Sequence, residues 1–333
     1  MGDGEGDSVA AWFENWEAPA ETRPQARDYG YDLGTALSSV VGLSARVPPD
    51  AFTAPGLGTE RSGSGVLIRE DGIVLTIGYL IMEADHVELA TIDDRVVPGH
   101  VLGFDHATGF GVVQALEPLD LPVMALGDPR TAEVGARVVM AGGGGVARAV
   151  AAEVAAREEF AGYWEYVLDD AIFTRPAHPH WSGAALIGGK GELVGIGSLH
   201  VQQQASGGRF IPLNMSVPID LLHPIFDDLL SGKAIHGGRP WLGVIAHEVE
   251  GQVMIVGFAG EGPAKRAGLA EGDTVVAVGG KPVATLSEFY RAVWALGPAG
   301  VETPLTLDRE GDLFEVTINS ADRGKYLKRR RLH

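Results

Sequence analysis

Ser182 and Gly183 lie in the turn-like stretch TRPAHPHWSGAALIGGKGELVGIGS, residues 174–198. A serine hydroxyl is a weak nucleophile at neutral pH. To attack a carbonyl it needs a base for its proton, a carboxylate to orient that base, and N–H donors for the developing oxyanion. Close in sequence stand His178 and His180, with Asp169 and Asp170 a little upstream. Closeness in sequence is not reach in space, and a loop histidine two residues before a serine normally projects away from its hydroxyl. His178-x-His180, with His106, also has the residue types of an imidazole metal site. Loop histidines beside proline are more simply solvated, so neither a metal nor a cofactor is expected.

The bulk of the chain limits what such a serine can belong to. Its 333 residues fit about two domains. Hydrophobic residues at 45% and charged residues at 21% suit a soluble protein with a sizeable core. The 47 glycines favour tightly turned β architecture over helical bundles. A formal net charge of −18 opposes general nucleic-acid binding and favours basic peptides as partners. With no cysteine there are no disulfides, thiolate metal sites or thiol nucleophiles. No apolar run reaches the length of a transmembrane helix. The opening MGDGEGDSVAAWFENWE is acidic where an export signal is basic and then apolar, so the chain as written is expected to be cytoplasmic, or periplasmic if a leader has been removed.

The elements that must position the serine are short. Residues 1–32 form an acidic, turn-rich extension carrying Trp12, Phe13 and Trp16, read either as an unpacked leader or as an arm docking on a neighbouring subunit. From about residue 35, runs such as SGVLIRE, GIVLTIGYLI, HVELATI, GFGVVQAL, ELVGIGSL and RFIPLNMSVPI are bounded by turn residues, which predicts a sandwich or barrel. AAEVAAREEF has helical propensity between strands and is ambiguous. IDLLHPIFDDLLSGKA has helical spacing as far as Leu230. A second unit starts after GGRP at 237–240. There PAKRAGL reads as a short helix capped by Gly268, LSEFYRAVWAL as an amphipathic helix with Ser287 at its N-cap, and TPLTLDREGDLFEVTI as a hairpin. The tail ADRGKYLKRRRLH is expected to be solvated.

Several of these stretches, in order, resemble the HtrA (Deg) family, in which a trypsin-like double β-barrel precedes PDZ domains. They are SGSGVLIREDGIVLT, LPVMALGDPRTAEVGARVVMAG, NMSVPIDLLHPIFDDLLSGKAIHGGRPWLGV and GPAKRAGLAEGDTVVAVGGKPV. The resemblance implies a mainly β fold, with a protease-like domain at 33–235, a PDZ domain (sandwich-like with two helices) at 238–320, and a basic tail at 321–333. It also implies assembly as a homotrimer.

Matched to the family's pattern, the histidine position falls on Tyr79 and the aspartate position on Gly109. Ser182 is retained, and the oxyanion-hole glycine two residues before it is His180. Tyrosine is a poor general base at pH 7, and glycine offers no orienting group. Asp105 matches a different, upstream aspartate. The expectation is a pseudoprotease, with a serine endopeptidase using a rearranged base as the alternative. In PDZ domains a peptide strand adds to a sheet edge while loop N–H groups receive its terminal carboxylate. The resemblance puts that loop at Trp241, Leu242, Gly243 and Val244, with Phe289, Val293 and Leu296 on the helix walling the groove. Peptides or protein C-termini are therefore the expected partners, in a regulatory or chaperone-like role in protein quality control.

Overall fold

The computed structural model describes residues 16–204, 208–232 and 238–328. The chain divides into two compact units, one within Met1–Glu158 and Asp170–Lys233, the other within Glu159–Asp169 and Ala234–His333.

Two closed antiparallel barrels make up the first unit. Strands β1 (Val40–Arg46), β2 (Glu60–Arg69), β3 (Ile73–Ile77), β4 (His86–Ala90), β5 (Val96–Phe104) and β6 (Phe110–Ala115) close in the order β1-β2-β3-β6-β5-β4. Strands β7 (Arg137–Ala141), β8 (Ala149–Gly162), β9 (Tyr166–Arg175), β10 (Ala185–Ile187), β11 (Leu193–Gln204) and β12 (Phe210–Pro218) close in the order β10-β11-β12-β9-β8-β7. Closure leaves no unpaired edge, which is how so many short strands avoid pairing with other chains. The strands of each barrel carry fully buried or nearly buried side chains, among them Leu43, Leu75, Ile77, Leu89 and Phe110 in the first and Met140, Ile172, Leu186 and Ile196 in the second.

The ambiguous segment AAEVAAREEF is strand. Along β8 it pairs with β7 from Ala149↔Ala141 to Glu153↔Arg137, and Val150, Ala152 and Val154 face the core. The partner strand's open ladder outweighs the modest helical propensity of alanine and glutamate. The segment after β12 is helical, though it runs as a 3₁₀ stretch over Ile219–Ile225 before an α-helix at Phe226–Ser231. Pro224 lies within it and cannot donate to an α-helical ladder. The extension is packed from Trp16 onward: Ala18 N–H bonds Ala147 O at 2.8 Å, and Ala18 is fully buried. Trp12 and Phe13 lie outside the described residues.

The second unit is a sheet in the order β13 (Val244–Val249), β14 (Gln252–Phe258), β15 (Thr274–Val278), β17 (Glu302–Arg309), β18 (Asp312–Asn319), with the short β16 (Lys281–Pro282) paired to β15. Short and long helices at Pro263–Arg266 and Leu286–Trp294 accompany it. The longer helix is capped by Thr285, not Ser287. Thr285 Oγ1 accepts from Glu288 N–H, and Glu288 reaches back to the Thr285 N–H. Ser287 lies inside the first turn and is buried. The hairpin around Arg309–Asp312 turns on Glu310 and Gly311, both at positive φ (57° and 95°), the geometry of a two-residue primed turn. The start of the tail is not simply solvated: Ala321 bridges Trp241, and the Tyr326 ring packs edge-on against Trp241 at 4.9 Å. Of the basic cluster, residues 329–331 lie outside the described residues.

Candidate functional site

Ser182 precedes β10 on a loop pressed against β2. Ser182 O accepts from Ser64 N–H at 2.8 Å, and a Cβ on Gly63 would sit 2.5 Å from that same oxygen. A Cβ on Gly183 would lie 2.0 Å from Ser64 O, so only glycine lets the loop approach so closely. These contacts hold the serine at the seam between the two barrels.

Tyr79 reaches the same point from the short helix Gly78–Ile81 that follows β3. Its hydroxyl lies 2.7 Å from Ser182 Oγ and 2.7 Å from the Ser198 carbonyl oxygen. A carbonyl can only accept, so the single phenolic proton goes to Ser198 O and the Ser182 hydroxyl donates to the phenol oxygen. Burial raises the Tyr79 pKa above its ordinary value. A phenol in that state takes no proton from serine near neutrality. The backbone beneath Tyr79 is fixed by Arg61, which donates to Tyr79 O at 2.7 Å and Met82 O at 3.0 Å.

Gly109 adopts φ +87°, a conformation that L side chains rarely take. Its carbonyl accepts from Gly78 N–H at 2.6 Å. Nearby Asp105 uses its carboxylate on the Thr108 N–H at 2.7 Å, closing the turn that carries Gly109. His106 packs its ring edge-on against Phe104.

His178 is not a solvated loop residue; it is completely buried. Its backbone is gripped by Asn214, which accepts from His178 N–H at 2.6 Å and donates to His178 O at 3.0 Å. The ring Nδ1 accepts the His180 N–H at 3.0 Å, which requires the proton on Nε2, where it is donated to Arg148 O at 2.9 Å. Burial drives the His178 pKa down to about 4, so the ring is neutral at physiological pH. The His180 N–H, at the position expected to help an oxyanion, is thereby committed to an imidazole. Trp16 packs its ring on both histidines, 4.8 Å from His178 and 5.5 Å from His180.

A second candidate lies in the loop entering β13. Gly243 adopts φ +79°, and a Cβ there would meet Gly262 Cα at 3.0 Å and the Trp241 ring at 3.1 Å. The loop N–H groups of Leu242, Gly243 and Val244 converge, and all three donate to one carboxylate, that of Glu165, at 3.0, 2.7 and 3.1 Å. Burial pushes the Glu165 pKa up to about 7, against the pull of those N–H groups and of Arg323. Leu242, Val244, Phe289 and Val293 form part of one buried apolar cluster, against which Leu296 packs, while Trp241 is buried against Tyr326. Sequence reasoning found the loop and missed Glu165, which lies 77 residues from Leu242 in a hairpin without a motif.

Against known proteins, a trypsin-like peptidase domain matches residues 63–196 and a PDZ domain matches residues 240–319. A probable periplasmic serine endoprotease, DegP-like, from Pseudomonas fluorescens is 26% identical over 273 residues, covering 77% of this chain and 55% of the relative. The protein of the same description from Hahella chejuensis is 27% identical over 276 residues, covering 78% and 56%. The chain thus spans about half the length of the curated relatives it matches. Among solved structures, the HtrA-type protease AlgW with a decapeptide superposes with a TM-score of 0.53 at 20% identity, over 90% of this chain and 98% of that one. The serine endoprotease from Yersinia pestis gives 0.50 at 22% identity, over 86% and 95%. These bear out the mainly β fold, a trypsin-like double barrel followed by a PDZ domain. They overturn the expectation of a cytoplasmic chain, because the relatives are named as periplasmic.

Proposed function

The chain belongs to the HtrA/Deg family, and from that premise we propose that it is a pseudoprotease of the periplasm whose working module is the PDZ domain. One observation carries the reading: the hydrogen-bond partner of Ser182 Oγ is the phenol of Tyr79, which is itself bonded to Ser198 O. Ser182 then serves as a structural donor, with Gly109 leaving no orienting carboxylate and His180 contributing no free oxyanion donor. The PDZ domain binds peptides or protein C-termini, and does so for protein quality control, either regulating an active protease or holding clients. The assembly we propose is a homo-oligomer, a trimer in the family's form, which mass photometry reads directly.

The names of the relatives favour a second reading, a serine endopeptidase using Ser182 with a rearranged base. A casein cleavage assay with wild type and Ser182→Ala separates the two. The pseudoprotease reading expects no cleavage by either protein and no labelling of Ser182 by a fluorophosphonate probe. Cleavage by wild type that Ser182→Ala abolishes sinks it.

A further inference from the structure

The carboxylate loop of the second unit already holds a carboxylate. Glu159–Asp169, the tip of the β8–β9 hairpin, belongs to the same compact unit as that loop. It makes three contacts of the kinds that a bound C-terminal peptide makes in strand addition. Glu165 accepts from the Leu242, Gly243 and Val244 N–H groups. Tyr163 O accepts from Ala246 N–H at 3.0 Å, on β13, the strand at the end of the sheet order. Val167 is buried in the cluster that contains Leu242, Val244, Phe289 and Val293.

Further contacts fasten the tip. Arg291, on the helix Leu286–Trp294, pairs with Glu159 at 2.6 Å and Asp169 at 2.5 Å, one on each side of the turn. The Tyr163 ring stacks on His247 at 5.6 Å with planes 13° apart. Arg323 adds positive charge beside the carboxylate. Carboxylate, main-chain acceptor and apolar side chain are all supplied from within the chain.

We propose that the Glu165 carboxylate is the resident ligand of this loop, and that an external peptide with a free C-terminal carboxylate binds by displacing the hairpin tip. The proposal rests on the reading that the PDZ domain takes peptide C-termini. Two carboxylates cannot share three N–H donors, so the docked tip and the peptide exclude one another. Apparent affinity is then the intrinsic affinity scaled by the fraction of molecules whose loop is open. Removing Glu165 raises that fraction without altering the loop.

The test uses the full chain as wild type, Glu165→Ala, Glu165→Gln and Arg291→Gln. The probe is a fluorescein-labelled pool of octapeptides randomised at the last four positions, made with free carboxylates and again as carboxamides. The free-carboxylate pool is expected to bind Glu165→Ala tighter than wild type by on the order of tenfold or more. Glu165→Gln, which keeps a carbonyl acceptor, and Arg291→Gln, which frees only the flanks, give smaller gains; the carboxamides bind none of the four. In the peptide-free protein, the Leu242, Gly243 and Val244 amides exchange slowly in wild type and faster in Glu165→Ala. Equal affinity of wild type and Glu165→Ala for the free carboxylates overturns displacement while leaving the peptide-binding reading standing. Equal amide protection in the two proteins overturns the resident-ligand assignment. Binding by none of the four proteins sinks the peptide-binding reading, and this inference with it.

Discussion

If Ser182 is a structural hydroxyl, then Tyr79→Phe should cost far more stability than Ser182→Ala. Ser198 is the bulged residue of β11, skipped by the register that pairs Gly197 with Ser216 and Leu199 with Met215. The Tyr79 hydroxyl satisfies its carbonyl at 2.7 Å, and Ser198 is 5% exposed. Removing the phenol oxygen strands that buried carbonyl and takes the acceptor from Ser182, a loss of about 2 kcal/mol. Ser182→Ala removes only the donor to Tyr79, which keeps its own proton on Ser198 O, so it costs about 0.5–1 kcal/mol. In the double variant the second change should be nearly free, because Ser182 has already lost its acceptor. For a unit of this size about 2 kcal/mol corresponds to a fall in Tm of roughly 4–8 °C. Differential scanning calorimetry of the four proteins, read as a double-mutant cycle, measures both the costs and the coupling. A Tyr79→Phe transition within a degree of wild type, or costs that simply add, would refute this order of hydrogen bonds.

Two other predictions rest on the same seam. Because His178 titrates at about 4 in the fold against an ordinary 6.5, the native state binds fewer protons than the unfolded chain between those values. Its contribution is intact above pH 6.5 and lost as the pH falls toward 4, amounting to about 3 kcal/mol, and urea midpoints across that range should flatten in His178→Gln; parallel curves for the two proteins would show that another group is responsible. Restoring the missing pair as Tyr79→His with Gly109→Asp should leave casein uncut: φ +87° at Gly109 costs an aspartate about 1–2 kcal/mol, and the His180 N–H stays on the His178 ring. Cleavage by that variant that requires Ser182 would show the oxyanion hole to be intact.

Much of this architecture could be read from residues alone because it is written in local patterns. Alternating apolar runs and turn glycines mark strands whatever their partners, and an ordered series of such runs specifies a known pair of domains. Tyr79, Gly109, Ser182 and His180 are singled out by their positions in that series. What the residues left open or misplaced has a different cause, a choice made by tertiary contacts. AAEVAAREEF became strand because β7 offered an open ladder. His178 is buried and neutral because Asn214, Arg148 and the His180 N–H all meet it, and none of these partners is visible as a motif. The Thr285 cap is the exception, since Thr285-x-x-Glu288 is a capping-box signal that the nearby Ser287 obscured. Glu165 carried no signal, for nothing in a hairpin tip announces which distant amides it will meet.

Retention of the Ser-Gly pair says less about chemistry than its resemblance to a nucleophile loop implies. Gly183 is required because its backbone passes within contact of Ser64, and Gly63 because Ser182 O occupies the space a side chain would fill. Both requirements come from closing one barrel against the other, and both hold whether or not Ser182 reacts. The close packing of such a loop therefore does not tell whether its serine reacts. The informative positions are those without that duty, where an active protease needs a base, an acid and a free N–H. Here Tyr79 donates to a bulge carbonyl, Gly109 accepts from Gly78, and the His180 N–H is taken by His178. Each of the three has been given a structural bond in place of a catalytic one, and regaining activity would mean breaking all three.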